Sequence, residues 1–328
     1  MTGHDRQACQ GILVTGGSGF VGKSLLKRLD EEPVWTPRAL VRQQPESRLP
    51  GVDYRLFTEL SDIDRATGYF EGVDTVIHLA SRVHVMQETA ADPLAEFRRV
   101  NVEGTLGLAR AAVEAGVRRF VFVSSVKVNG ETTDGRPPFD ADEAPAPLDP
   151  YGISKHEAEE ALRHLAAQTS LEVVIVRPVL VYGPGVKANF RSMMSWLNKG
   201  VPLPFGAIHN KRSLVSVDNL VDLLVACINH PAAANQTFLA SDGEDLSTTE
   251  LLRRLGTALG KPAKLLPVPA ALIKGGAKMV GLGSLSQRLC GSLQVDISKT
   301  RELLGWTPPL GVDQALRATA VNFLKEQH

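Results

Sequence analysis

The chain has 328 residues, with 36 basic and 36 acidic side chains and a formal net charge of zero. It is 43% hydrophobic and 22% charged, which suits an ordinary globular protein of one large or two modest domains. The neutral balance argues against nucleic acid or an anionic surface held by bulk charge and leaves room only for a local basic patch. Cys9, Cys227 and Cys290 are too scattered for a disulfide framework or a zinc site, so no metal is expected and a reducing compartment is. The polar N-terminus is no signal peptide, and the longest apolar run, Leu220 to Ile228, is broken by Asp222. The expectation is a cytoplasmic protein with no membrane insertion.

In chain order the pattern alternates. Ile12-Leu13-Val14 is an apolar run ending at glycines, hence a buried strand. Val21, Leu25, Leu26 and Leu29 recur at helical spacing from near Gly19. Strands follow at Arg38 to Val41, Val52 to Phe57 and Val73 to Leu79. Pro93 to Ala115 reads as one long helix ended by Gly116. Arg119 to Val123 and Val173 to Val176 are further strands. Repeated β–α–β units predict an α/β fold, an open, doubly wound parallel (Rossmann) sheet with helices on both faces. Beyond Pro178 the chain is less regular: short helices at Phe190 to Asn198, Asn219 to Asn229 and Ser247 to Leu259, a Gln236 to Ala240 strand, then helical pieces punctuated by Pro and Gly. The predicted division is a dinucleotide-binding domain of residues 1–178 plus about 212–240, and a smaller, mostly helical cap of 179–211 and 241–328 that binds substrate.

Thr15-Gly16-Gly17-Ser18-Gly19-Phe20-Val21-Gly22 follows the first strand and opens the first helix. Gly16 permits the tight turn, Gly19 lets the backbone approach a pyrophosphate, and Gly22 lets the helix pack closely on the sheet. The helix N-terminus then offers N–H groups to phosphates. At the end of the second strand, where NAD enzymes place an acid for the ribose, the segment Ala39 to Gln44 has none and carries Arg42. Arg42 suits a 2′-phosphate, so NADP(H) is expected in preference to NAD(H), with NAD(H) still possible.

Tyr151 and Lys155 stand four residues apart on a predicted helix and share a face. A nearby ammonium favours the phenolate and suits the tyrosine to proton transfer. Ser124-Ser125 ends the fifth strand at the carboxyl edge, where ligands bind in such sheets, and a serine there suits the same substrate oxygen. Together these residues describe hydride transfer at a carbonyl or alcohol carbon. His78 ends a buried strand and reads as a satisfied core histidine, Cys227 as core, and Trp196 and Trp306 as packing.

These motifs, with His78-Leu79-Ala80-Ser81, Asn101 to Thr105, Arg177-Pro178 and Val181 to Gly185, resemble the extended short-chain dehydrogenase/reductases of the nucleotide-sugar epimerase/dehydratase family over nearly the whole chain. The resemblance implies Ser125, Tyr151 and Lys155 as the catalytic set and Asn101 as a brace for the active-site helix. It implies cofactor contacts from Ser18, Phe20 and Val21, from Glu59 and Leu60 at the adenine, from Leu79, Ala80, Ser81 and Val123, and from Pro178 and Val179 at the carboxamide. Asn189 and Arg212, with Arg288 as a later arginine, stand where the family grips a nucleotide diphosphate. Ser81, Arg82, His84 and Lys127 are expected near the sugar, although His84 reads equally as a plain loop residue. A homodimer through the helices around 93–115 and 151–168 is a family trait.

Family 4,6-dehydratases carry an Asp-Glu pair just after the catalytic hydroxyl residue; Val126 and Lys127 stand there instead, which removes the acid/base couple for dehydration. Asp140, Asp142 and Glu143 read as a solvated turn. Arg42 and the segment Ser125 to Gly130 favour an NADPH-dependent reductase of a UDP-linked 4-keto-6-deoxy sugar, similar to reductases of bacterial O-antigen assembly. The alternatives are a UDP-hexose or UDP-N-acetylhexosamine 4-epimerase with tightly bound NAD, and a non-enzymatic NADP-sensing regulator. The Tyr–Lys pair argues against the last.

Overall fold

The structure, a computed structural model, describes residues 9–60, 63, 67–83, 92–279 and 283–327. It forms two compact units: Met1–Gly130 with Ala144–Arg177 and Leu224–Phe238, and Glu131–Glu143 with Pro178–Leu223 and Leu239–His328. Segment 131–143 and the residues from 212 to 223 thus group with the second unit, where the sequence reading had set them in the first. No helix among the described residues is long and apolar enough to cross a membrane.

The first unit is laid down as β1 (Gln10–Thr15), α1 (Phe20–Asp30), β2 (Trp35–Val41), β3 (Asp53–Leu56), β4 (Val73–His78), α2 (Pro93–Arg98), α3 (Gly104–Glu114), β5 (Arg119–Val123), α4 (Pro150–Gln168) and β6 (Glu172–Pro178). Together with a later strand, Thr237–Ala240, these make a seven-stranded sheet in the order β3-β2-β1-β4-β5-β6 and then that strand. Neighbouring strands from β3 to β6 pair in parallel. Ile12, Leu13 and Val14 are fully buried, as are Val76, Ile77, Phe120, Val121 and Phe122. Such continuous apolar runs, rather than alternating ones, mark strands covered on both faces. Asp149 caps α4 by accepting from the Gly152 N–H at 2.6 Å, and Pro150 fills the first helical position, where a missing N–H costs nothing.

After β6 the chain continues with β7 (Leu180–Tyr182), α5 (Ala188–Asn198), β8 (Arg212–Ser216), α6 (Val217–Asn229, which runs on into the first unit), β9 (the Thr237–Ala240 strand, whose first two residues group with the first unit), β10 (Asp245–Leu246), α7 (Thr248–Ala258), α8 (Ala270–Met279), α9 (Gly283–Cys290), α10 (Ser298–Leu304) and α11 (Val312–Lys325). Ser247 caps α7 by accepting from the Glu250 N–H at 3.0 Å.

Two departures from the sequence reading have local causes. The expected single helix over 93–115 is α2 and α3 joined by a π-helical turn, Arg99–Glu103. The expected mostly helical cap also carries a small sheet in the order β10-β8-β7; β7 and β10 are too short to show a period-two pattern, and β8 is buried almost throughout and so does not alternate.

The turn after β1 rests on close backbone approach. A Cβ at Gly22 would stand 2.2 Å from the Gly16 carbonyl oxygen, and backbone, unlike a flexible side chain, has nowhere to go. Gly22→Ala is therefore expected to lower unfolding free energy by about 1–3 kcal/mol in urea titration. An unchanged midpoint would show that the turn has slack.

Candidate active site

The first strand ends at Thr15, and the chain turns sharply at Gly16 with φ of 70°, where a Cβ would meet the Ala80 nitrogen at 2.7 Å. Gly19 enters α1 in extended conformation without a side-chain cap, and no acid occupies the first helical turn. The first N–H groups of α1 are thus left for an anion, with the helix dipole behind them. Ser18 and Gly19 are exposed, while Phe20 and Val21 are half-buried. A cavity of about 900 Å³ opens beside this turn, lined by Gly17, Ser18, Lys23, Val41, Arg42 and Tyr54 among others. The glycine cradle, the uncapped helix and a basic cavity at the end of β2 fit a dinucleotide. Of the residues expected near an adenine, Glu59 pairs with Arg99 at 2.8 Å, and Leu60 is buried against Gly104.

Behind the turn lies His78. Its Nδ1 is 2.6 Å from Thr15 Oγ1 and its Nε2 is 2.9 Å from Thr105 Oγ1, and its ring stacks on Phe122. Thr15 Oγ1 also accepts the Ala80 N–H at 3.2 Å. Burial, seconded by the charge of Lys155, pushes the imidazole down to about 3, so it stays neutral at physiological pH. It is a core residue, and it ties the glycine turn to the Leu79-Ala80-Ser81 segment.

The catalytic candidates meet at the carboxyl ends of β4 and β5. Past the half-buried Val123, Ser125 begins a short 3₁₀ turn, accepting the Lys127 N–H at 3.2 Å. Tyr151 and Lys155 stand one turn apart on α4. The Tyr151 ring meets Phe97 edge-on at 6.1 Å. Desolvation pushes the phenol up to about 12, against the opposing pull of the neighbouring Ser81 and Ser125 hydroxyls. The Lys155 ammonium, fully buried 4.1 Å from the Phe122 ring centroid, is pushed down by desolvation to about 7, with Glu159 opposing. The expected lowering of the phenol by its lysine neighbour is therefore reversed in the protein alone. Burial outweighs the attraction of a lysine that is itself only partly protonated at neutral pH.

Asn101, on the π-helical turn, ties this cluster together. Its Oδ1 accepts from Ser81 Oγ at 3.0 Å and from the Arg82 N–H at 2.8 Å; its Nδ2 donates to the Arg82 carbonyl and to Ser154 Oγ, each at 3.0 Å. Arg82 lies over the Phe97 ring at 5.6 Å. His84 lies outside the described residues. The ammonium of Lys127, expected near the sugar, pairs with the helix-capping Asp149.

Sequence reasoning missed Glu159. Wholly buried, it accepts from Ser124 Oγ at 2.6 Å and from Arg177 twice, Nε at 2.9 Å and Nη2 at 2.5 Å, while Arg177 Nη1 reaches Asn129 Oδ1 at 3.1 Å. The available signal was spacing: Tyr151, Lys155 and Glu159 fall at i, i+4 and i+8 on one face of α4.

In the second unit, Pro178 and Val179 are buried, and Asn189 is exposed in the first turn of α5. Arg212 donates to the Gly291 carbonyl at 3.1 Å, and burial together with the like charge of Arg288 pushes its pKa down. Two guanidiniums that repel one another in a partly desolvated place are relieved by a bound anion.

A family model described as "NAD dependent epimerase/dehydratase family" matches residues 12–240. A UDP-glucose 4-epimerase of Vibrio cholerae is 48% identical over 325 residues, covering 98% of each chain. An N-acetyl-alpha-D-glucosaminyl-diphospho-ditrans,octacis-undecaprenol 4-epimerase of Escherichia coli O157:H7 is 27% identical, covering 94% of this chain and 93% of its own. The crystal structure of the UDP-glucose 4-epimerase of Thermotoga maritima superposes with a TM-score of 0.77 at 23% identity, covering 97% of this chain and 100% of that one, a likeness of fold.

Two tests follow from the buried groups. The His78 imidazole titrates at 6.5 when unfolded and about 3 when folded, so the unfolded state binds the extra proton between these values. The stability this group contributes is complete above pH 6.5 and drains away as pH falls towards 3. Urea midpoints should accordingly fall more steeply on acidification in the wild type than in His78→Gln; parallel profiles would refute the assignment. Replacing Arg177 by Met leaves the buried Glu159 carboxylate with Ser124 and the half-exposed Arg163, whose Nη2 donates to it at 3.1 Å, and should cost about 3–5 kcal/mol of unfolding free energy. A loss below about 1 kcal/mol would mean that water reaches the pair.

Proposed function

The chain belongs to the NAD dependent epimerase/dehydratase family, and from that membership we propose that it inverts C4 of a UDP-linked hexose or N-acetylhexosamine with NAD held on the glycine turn. The observation that carries this reading is the 48% identity to the Vibrio cholerae UDP-glucose 4-epimerase along the whole of both chains. It outweighs the signals that put a 4-ketoreductase first on sequence grounds, Arg42 and the Ser125 to Gly130 segment.

The geometry supports the following roles. Gly16 to Gly22, with Arg42 at the adenosine end, would hold the dinucleotide. When bound, the nicotinamide supplies an acceptor for the C4 hydride and then its donor. Tyr151 Oη exchanges the proton of the C4 hydroxyl, with Ser125 orienting that oxygen. As folded, Tyr151 holds its proton, because burial sets it near 12. Its discharge as a phenolate calls for added positive charge, which protonation of Lys155 provides. Arg212 and Arg288 suit the UDP diphosphate.

Arg42 on the wall of the cavity supports a second reading, a single reduction of a 4-keto sugar with NADPH. Incubation with UDP-glucose and with UDP-N-acetylglucosamine separates the two. Interconversion of C4 epimers with no net change in the NADPH absorbance band is expected. Stoichiometric loss of that band on a UDP-4-keto sugar, without epimerisation, would sink the proposal in favour of the reductase. In either assay Tyr151→Phe should lose about 10²–10⁴-fold in turnover while cofactor affinity, measured by fluorescence titration, stays at the wild-type value. A fully active phenylalanine variant would remove Tyr151 from the chemistry.

A further inference from the structure

Acidic side chains are absent from two stretches of this neutral chain. Residues 178–217 hold five lysines and arginines and no aspartate or glutamate, and residues 251–295 hold seven and none. Both stretches lie in the second unit, and hydrogen bonds join them into one seam. The Leu203 N–H donates to the Lys264 carbonyl at 2.9 Å, the Leu266 N–H to the Leu203 carbonyl at 2.8 Å, and the Gly206 N–H to the Leu266 carbonyl at 2.8 Å. Lys261 Nζ donates to the Asn198 carbonyl at 2.7 Å, in the same turn from which the Val201 N–H reaches back to the Trp196 carbonyl.

Large apolar side chains stand open along this seam: Trp196 is 43% exposed, Val201 39% and Leu266 51%, with Leu272, in the first turn of α8, at 67%. Lys199, Lys261 and Lys264 are exposed among them. Scattered exposed leucines need no explanation, but four large apolar residues among lysines, with no carboxylate in either stretch, depart from the mixed signs of an ordinary soluble face. An indole, branched aliphatic side chains and flexible ammonium groups suit the head-group zone of an anionic bilayer. The apolar groups enter the acyl boundary there, and the lysines meet lipid phosphates. A partner protein with an acidic face would be met by arginine forks and a pocket with an aromatic anchor. Here the exposed charges beside the apolar side chains are the ammonium groups of Lys199, Lys261 and Lys264. We propose that the Trp196–Leu272 seam seats the protein peripherally on an anionic lipid surface. This docking stands apart from the epimerase reading and is read without any sugar.

The full-length protein is to be co-sedimented with vesicles of phosphatidylcholine alone and with vesicles containing about one-third phosphatidylglycerol. Binding stronger by about tenfold or more on the anionic vesicles, and weakened by salt, is expected. Lys199→Glu with Lys264→Glu, and separately Leu266→Ser with Leu272→Ser, should each abolish that preference while the melting temperature and sugar turnover stay at wild-type values. Equal binding to both vesicle types, binding to neither, or folded variants that sediment like the wild type would overturn the proposal. So would capture of an acidic protein through this seam by a chain that ignores lipid.

Discussion

A carboxylate on α4 and a guanidinium on β6 meet where water is shut out, and the geometry of the candidate site depends on their meeting. Glu159 hangs from the same face of α4 as Tyr151 and Lys155, and Arg177 ends β6. Their double hydrogen bond fixes the rotation of the helix against the sheet. Through Ser124 Oγ the same carboxylate holds the residue next to Ser125. Such a pair contributes little net stability after desolvation. Its value is register: a turn of α4 about its axis that moved Tyr151 away from Ser81 and Ser125 would tear both charges out of their hydrogen bonds.

Burial also governs the chemistry above. It raises the tyrosine to about 12 and lowers the lysine to about 7, which drives apart two titrations that nearly coincide in water. Tyr151 and Lys155 are thus held as a neutral phenol beside an ammonium close to losing its proton. The cluster is responsive for that reason: any charge introduced into so dry a space acts with little screening. Asn101 contributes rigidity without charge, spending its amide on two backbone groups and two hydroxyls.

Much of this was legible in the residues, and what was not had physical reasons. The glycine turn could be read because its spacing directly follows a strand too apolar to be anything but buried. Tyr151 and Lys155 could be read because helical geometry puts i and i+4 together. Glu159 was not, since a helical glutamate is by default a solvated one, and it takes Arg177 and Ser124 arriving from other elements, beside Arg163 of its own helix, to make burial tolerable. Lys127 looked free to meet a sugar because its partner, Asp149, is remote in sequence and declares itself only as a cap. The small sheet of the second unit escaped notice because β7 and β10 have three and two residues, shorter than any periodicity. The choice between reduction and epimerisation was tilted by Arg42, which speaks to the adenosine end of a cofactor and not to the reacting carbon.

The π-helical turn at Arg99–Glu103 leaves a lasting mark on the chain that follows it. Such a turn accommodates one residue more than an α-helical turn, so everything after it is rotated by about 100° relative to an uninterrupted helix. The stripe of α2 that carries Phe97 and the stripe of α3 that buries Leu108 and Ala112 therefore cannot be drawn as one line. Insertions and deletions here differ in kind from substitutions: a lost residue would restore perfect helical winding and, by doing so, swing Asn101 off Ser154. Regularity in this stretch would be the defect, and the surplus residue is what lets one rod serve two differently oriented surfaces.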